Sequence, residues 1–365
     1  MSGDVVQLPI ANERFNRKPA RPAVYGELAV TTNFSFLRGA SDPEDLVETA
    51  KHLGLAGLGI ADRNSVAGVV RAHVIAQESG GNKIDNTGFK VAVGARLVFS
   101  DDTPDILAYP RHRAAWGRLT RLLSLGKLRA EKGDCILGLP DLLDHMEGLN
   151  LVVMPPPLIH AARLGTLLAR LKTATPRSVW LAAGMLYRGD DARRLARLIG
   201  IADTTGVPLI AVNDVLYHEP ARRPLQDVVT CVREHLTLAA AGRKLEANAE
   251  RHLKSPQDMA RLFRRVPEAL DETVRFLESC NFSLEELRGT EYADETRQGY
   301  ATPQEALVAF AEAGLKQRYG EPPPAKVRHG VRFSFFIRSI VWDSHFAPFR
   351  LRKIRSFCEH DENGK

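Results

Sequence analysis

Asp62-Arg63 and Asn213-Asp214-Val215-Leu216 each follow a short apolar run of β type, and Ala29-Val30-Thr31 and Gly94-Ala95-Arg96 lie on two others. In an α/β chain such strand-to-loop junctions are where side chains converge on a site. Two carboxylates, Asp62 and Asp214, could ligate a divalent cation. A hydrolytic metal cluster needs more: several imidazoles and carboxylates must meet on the ions. Arg63 and Arg96 cannot complete that set, because a guanidinium keeps its proton and has no lone pair to give. Placed beside a carboxylate, arginine pairs with it instead. The expected arrangement is therefore two fixed cations, Arg63 and Arg96, serving Asp62 and Asp214. Other chemistry has no foothold. The chain lacks G-x-G-x-x-G, G-x-x-x-x-G-K, G-x-S-x-G and H-E-x-x-H. The glycine-rich patch at 79–88 follows a helical run rather than opening one, so it reads as a loop.

The elements that must position these residues alternate. Apolar runs at 27–32, 56–61, 90–99, 105–109, 149–154, 178–183 and 208–212 predict strands. Amphipathic runs at 43–53, 65–78, 113–129, 157–173 and 190–204 predict helices between them. This alternation argues for an α/β fold with parallel strands and crossover helices, and about seven such units suggest a distorted TIM-like barrel. An open doubly wound sheet is the alternative. After residue 235 the strand pattern stops, and helices are expected at 239–245, 256–264, 267–280 and 303–319. Ser255-Pro256-Gln257-Asp258 has the residues of a helix start, with Thr302 as a second cap. The expected division is a polar arm at 1–24, a barrel at 25–235, a helical segment at 236–327 and a basic–aromatic tail at 328–365.

The 365 residues carry a net charge of +6, and +5 of it falls in the last forty. The rest of the chain is nearly neutral, which argues against strong autonomous binding of nucleic acid by the body. Cys135, Cys231, Cys280 and Cys358 are far apart and form no C-x-x-C pair, so reduced thiols are expected. No apolar run reaches the ~18 residues of a membrane span, and the first residues lack a secretory core. The expected location is the cytoplasm.

The segment ELAVTTNFSFLRGASDPEDLVETAKHLGLAGLGIADRNSVAGVVRAH resembles the start of the PHP (polymerase and histidinol phosphatase) domain of bacterial replicative-type DNA polymerases. VNDVLYHEPARRPLQDVVTCVREH and LEANAERHLKSPQDMARLFRRVPEAL are similar to the error-prone branch of that family, the ImuC type related to the polymerase III alpha subunit. The resemblance runs from about residue 25 to 327. It implies a PHP barrel and a metal site whose ligand positions here hold Ala29, Thr31, Arg63, Arg96 and Leu216, with only Asp62 and Asp214 kept. By that comparison no residue is assigned as catalytic or as a metal ligand.

The resemblance also implies what the complete family does. That is DNA-directed DNA synthesis with Mg2+, in translesion repair and damage-induced mutagenesis, with DNA, an ImuB-type adaptor and the sliding clamp as partners. Neither the phosphate-binding stretch nor the paired palm aspartates of those polymerases is found in this sequence. The chain therefore reads as the N-terminal portion of such a polymerase, inactive alone. The tail packs Phe333, Phe335, Phe336, Trp342, Phe346, Phe349 and Phe357 among arginines. It is read as out-of-frame translation past residue 328, against a strip that stacks on single-stranded DNA. Two other readings are carried: a PHP-type phosphoesterase or 3′–5′ exonuclease, and a non-catalytic scaffold in a mutasome.

Overall fold

The computed structural model describes residues 23–78, 88–287, 299–322 and 324–325. Nearly all of the expected arm, most of the glycine-rich loop and the basic–aromatic tail lie outside the described residues. Seven strands follow one another around a single sheet in chain order: β1 (Gly26–Val30), β2 (Gly57–Arg63), β3 (Lys90–Leu97), β4 (Ile106–Pro110), β5 (Leu149–Val153), β6 (Val179–Ala183) and β7 (Leu209–Ala211). The sheet nearly closes on itself. Just past β7, Val215 donates to Ala29 O and accepts from Thr31 N, each at 2.9 Å, which brings the last strand's extension alongside the first.

Helices cover the outside: α1 (Pro43–His52), α2 (Val69–Glu78), α3 (Arg113–Leu128), α4 (Leu139–His145), α5 (Ala161–Ala174), α6 (Asp191–Thr205) and α7 (Arg223–Glu234). Their buried faces repeat at helical spacing, as with Leu46, Val47 and Ala50 on α1 and Leu164, Leu167, Leu168 and Leu171 on α5. Asp42 caps α1 by accepting from Glu44 N, and Pro43 fills the first turn, where no amide partner is needed. Neither α4 nor α7 is among the helices expected from sequence. The short α8 (Leu238–Ala241), then α9 (Pro256–Leu262) and α10 (Glu268–Ser279) follow. Ser255 caps α9 as expected, accepting from Asp258 N at 3.1 Å.

One strand departs from the expected parallel set. β4 runs antiparallel to both β3 and β5, while the other neighbouring pairs are parallel. The reason is length. The predicted strands at 90–99 and 105–109 leave five residues between them, whereas a parallel crossover needs a dozen or more. A hairpin is the only connection that fits. The inversion brings the start of β4, not its end, to the rim where the parallel strands terminate.

The barrel interior is apolar and is closed from below. Leu28, Ala29, Ala61, Leu107, Tyr109, Trp180 and Ile210 fill it, and Phe276 and Leu277 of α10 join the same cluster. Phe276 meets Tyr109 and Trp180 edge to face, with centroids 5.3 and 4.9 Å apart. Polar ties fix α10 across the strand starts. Gly26 N donates to Thr273 Oγ1 at 3.2 Å, Lys90 Nζ to Leu277 O at 2.7 Å, and Asn150 Nδ2 to Ser279 Oγ at 2.7 Å. The helices α8, α9 and α10 therefore share one compact unit with the barrel, and that unit runs to Arg288. The second unit contains α11 (Pro303–Tyr319), capped by Thr302, which accepts from Glu305 N.

The Tyr109 ring occupies space that glycines leave. A Cβ on Gly94 would sit 2.5 Å from Tyr109 Cδ1 and 2.7 Å from Ala108 O. Backbone cannot yield as a flexible side chain can, so Gly94→Ala is expected to destabilise the fold by about 1–3 kcal/mol, the usual range for overpacking. Urea unfolding checks this: the midpoint should fall with the slope unchanged.

Candidate functional site

The rim at the C-terminal ends of the parallel strands opens into a cleft of about 730 Å³, with Arg96, Asp105, Arg188, Asp214, Glu246 and Arg251 among its walls. Asp214 is its centre. The residue follows β7 in a left-handed conformation, φ 49°, which aspartate tolerates better than most. Arg96, from β3, reaches Asp214 Oδ1 through Nη2. Arg251 Nη2 lies 2.6 Å from Asp214 Oδ2, and its Nε donates to Asp214 O at 2.7 Å. The chain of charge continues on both sides. Arg251 Nη1 is 2.6 Å from Glu246 Oε1, Arg188 Nη2 is 2.7 Å from Glu246 Oε2, and Arg96 Nη1 is 3.6 Å from Asp105 Oδ2. Burial alone would raise the Asp214 carboxyl, but Arg251 and then Arg96 hold it down to about 2.

Asp62 has a different environment. It is fully buried at the end of β2 and takes its hydrogen bonds from the loop after β1. Thr32 N donates at 2.9 Å, Thr32 Oγ1 at 2.9–3.0 Å and Ser35 Oγ at 2.7 Å. Burial raises its carboxyl, with the Ser35 and Thr32 bonds opposing. The expected Asp62–Arg63 pair does not form: successive residues of a strand point to opposite faces, and Arg63 is exposed. Arg96, by contrast, stands where the sequence placed it, against Asp214.

The remaining marked positions are filled by packing. Ala29 is fully buried in the barrel interior and Thr31 is 5% exposed. Leu216 is buried with Ala40 and Tyr217, and its backbone bridges Arg251 O and Ala40 N. Among the described residues no group of three or more His, Cys, Asp or Glu is placed to hold a metal ion.

Four contributors escaped the sequence. Asp105 reaches the rim only because β4 is inverted, and the short gap before it was the available signal. Arg251 and Glu246 come from the segment after residue 236 and carry no local mark of their role. Glu27 is buried in β1, where it accepts from Tyr25 OH at 2.6 Å, Ala29 N at 2.8 Å and Asn213 N at 2.8 Å. It ties β1 to the residue beside Asp214, and burial raises its carboxyl.

The profile described as "PHP domain" matches residues 27–175, from β1 to the end of α5. The chain is homologous to error-prone DNA polymerases. It is 50% identical over 309 residues to the "Error-prone DNA polymerase" of Bradyrhizobium diazoefficiens, covering 83% of this chain and 26% of the relative. It is 51% identical over 295 residues to that of Rhodopseudomonas palustris strain BisB5, covering 81% and 26%. With that of Caulobacter vibrioides it is 48% identical over 307 residues, covering 84% and 27%. The chain thus spans about a quarter of the length of the curated relatives it matches. A solved putative metal-dependent phosphoesterase from Bifidobacterium adolescentis is similar at 17% identity and a TM-score of 0.38, over 53% of this chain and 88% of that one.

The residues present do not fit the metal cluster that the sequence resemblance implies for active PHP domains. Both carboxylate oxygens of Asp214 are taken by guanidinium groups, and a cation approaching it would meet two fixed positive charges. Asp62 is occupied by the hydroxyls of Thr32 and Ser35 and by the amides of Thr32 and Gly68. No helix among the described residues is long and apolar enough to cross a membrane.

Proposed function

We propose that this chain is the N-terminal portion of an error-prone DNA polymerase in which the PHP barrel is kept as a metal-free, non-hydrolytic body. The observation that carries the proposal is the saturation of Asp214 by Arg96 and Arg251. That arrangement replaces the attraction for a divalent ion with an internal ion network, which joins β3, β7 and the 246–251 segment. The barrel then contributes shape and rigidity, and Ala29, Thr31, Asp62, Arg63, Arg96, Asp214 and Leu216 are the remnants of the lost site. Nucleotidyl transfer with Mg2+ belongs to residues of the complete polymerase that these 365 do not include. DNA, an ImuB-type adaptor and the sliding clamp are the partners, and the cytoplasm is the location.

Two assays on the purified chain test this. Neither primer extension with Mg2+ nor hydrolysis of a phosphomonoester or a DNA 3′ end with Mn2+ or Zn2+ should rise above a no-protein control. Metal-dependent extension overturns the assignment of synthesis to other residues. Metal-dependent hydrolysis overturns the non-hydrolytic barrel and restores the phosphoesterase or exonuclease reading.

A further inference from the structure

The loop after β1, Asn33-Phe34-Ser35-Phe36-Leu37-Arg38, is held from two sides by hydrogen bonds. Ser35 Oγ accepts from Arg63 N at 2.9 Å while donating to Asp62, so the loop is stitched to the end of β2. α7 fixes its far side: Gln226 Nε2 donates to Arg38 O at 2.9 Å and Arg233 Nη1 to Leu37 O at 2.8 Å. Arg38 is therefore anchored through its backbone beside Arg63, which is itself paired in register with Arg96 on β3. Among the described residues the Arg38 and Arg63 side chains have neither a hydrogen bond nor an ion pair. Arg38 is half-buried, and burial, then Arg63 and Arg233, lower its hold on its proton. Glu234 and Asp105 oppose them at longer range without an ion pair, so a partly desolvated guanidinium is left that an anion would complete. Phe36, two residues away, is 83% exposed, and Phe34 is 37% exposed with Arg71 over its ring.

We infer that this loop is a contact for single-stranded nucleic acid, with Arg38 and Arg63 taking a backbone phosphate and Phe36 stacking on an unpaired base. A guanidinium pair suits the phosphate's oxygens. An exposed ring on a fixed loop suits a base face, which a duplex does not offer. Two cations and one ring make a local, weak contact, consistent with a body of low net charge. The inference rests on the DNA partnership proposed above, but it is read by binding alone, so turnover in either assay would leave it standing.

Fluorescence anisotropy of a labelled oligothymidylate with the full chain tests it, with thermal unfolding to show that each variant is folded. Arg38→Ala with Arg63→Ala should weaken binding about tenfold at low salt. It should also reduce the slope of log affinity against log salt by about 0.7, the release expected for one phosphate contact on a single strand. Arg38→Lys with Arg63→Lys should keep most of that slope. Phe36→Ala should weaken binding about fivefold with the slope unchanged. Inorganic phosphate as competitor should be insensitive to Phe36→Ala. Absence of oligonucleotide binding by the unaltered chain overturns the inference. So does unchanged affinity in all variants, the result expected if the loop and the apolar residues of α7 dock a protein instead.

Discussion

Replacing Asp214 with alanine should cost the fold about 3–5 kcal/mol, the range for removing one partner of a buried ion pair. The side chains of Arg96 and Arg251 are only 14% and 12% exposed. Without Asp214 they face each other across the rim, each with a neighbour that compensates only part of its charge: Asp105 for Arg96 and Glu246 for Arg251. Such a loss lowers the thermal midpoint by roughly 5–10 °C for a body of this size. Asp214→Asn keeps the shape and removes the charge, so it separates packing from electrostatics. The two variants should lose similar stability if the charge dominates. Acid sensitivity gives the second reading. With its carboxyl at about 2, below the ordinary aspartate value of 3.8, Asp214 contributes stability that is fully present above 3.8 and is lost as pH falls toward 2. Asp214→Asn should flatten that part of the stability–pH curve. Asp62, Asp105 and Glu27 act in the opposite direction. Their carboxyls are raised, so their charged forms cost stability as pH climbs through their titration.

Metal restoration should fail in an informative way. The five substitutions that the resemblance suggests are Ala29→His, Thr31→His, Arg63→His, Arg96→Glu and Leu216→His. They leave Arg251 in place, bonded to both the carboxylate and the carbonyl oxygen of Asp214. Elemental analysis of the five-fold variant is expected to find well under one equivalent of zinc or manganese. Adding Arg251→Ala, which frees Asp214, should raise occupancy toward one equivalent where the barrel tolerates the new imidazoles. The unaltered chain should show no metal after purification, and a chelator should leave its thermal midpoint where it was. Stoichiometric metal in the unaltered chain would refute the metal-free barrel outright.

Much of the fold was legible because strands and helices print their period on the chain. All seven strands lie within a few residues of their apolar runs, and the caps at Asp42, Ser255 and Thr302 act as their residue types suggest. Direction was harder to read. An apolar run says strand without saying which way it points, and only the five-residue gap before 105 distinguishes a hairpin from a crossover. That single reversal decides whether Asp105 or Tyr109 faces the cleft. The site divides in the same manner. Arg96 and Asp214 are both at strand ends, so local pattern finds them. Arg251 lies 37 residues from Asp214 in a segment without strands, and only the folded chain brings it back. Asp62 was expected to have a cation because Arg63 stands next to it in the sequence. Thr32 and Ser35 satisfy it with hydroxyls, residue types too common in turns to signal a partner. The helix at 267–280 was expected, but its role was not, since an apolar face does not say which surface it will cover.

That helix also imposes a timetable. Gly26 is among the first residues of the fold to emerge from a ribosome, and its tie to Thr273 is 247 residues away. Until that stretch is synthesised, the seven strands surround an interior whose Tyr109 and Trp180 have no lid, and loop-closure entropy delays the final docking. Completion of this barrel therefore waits for the synthesis of α10. A chain halted where the family profile ends, at residue 175, would lack β6, β7 and the base of its own core.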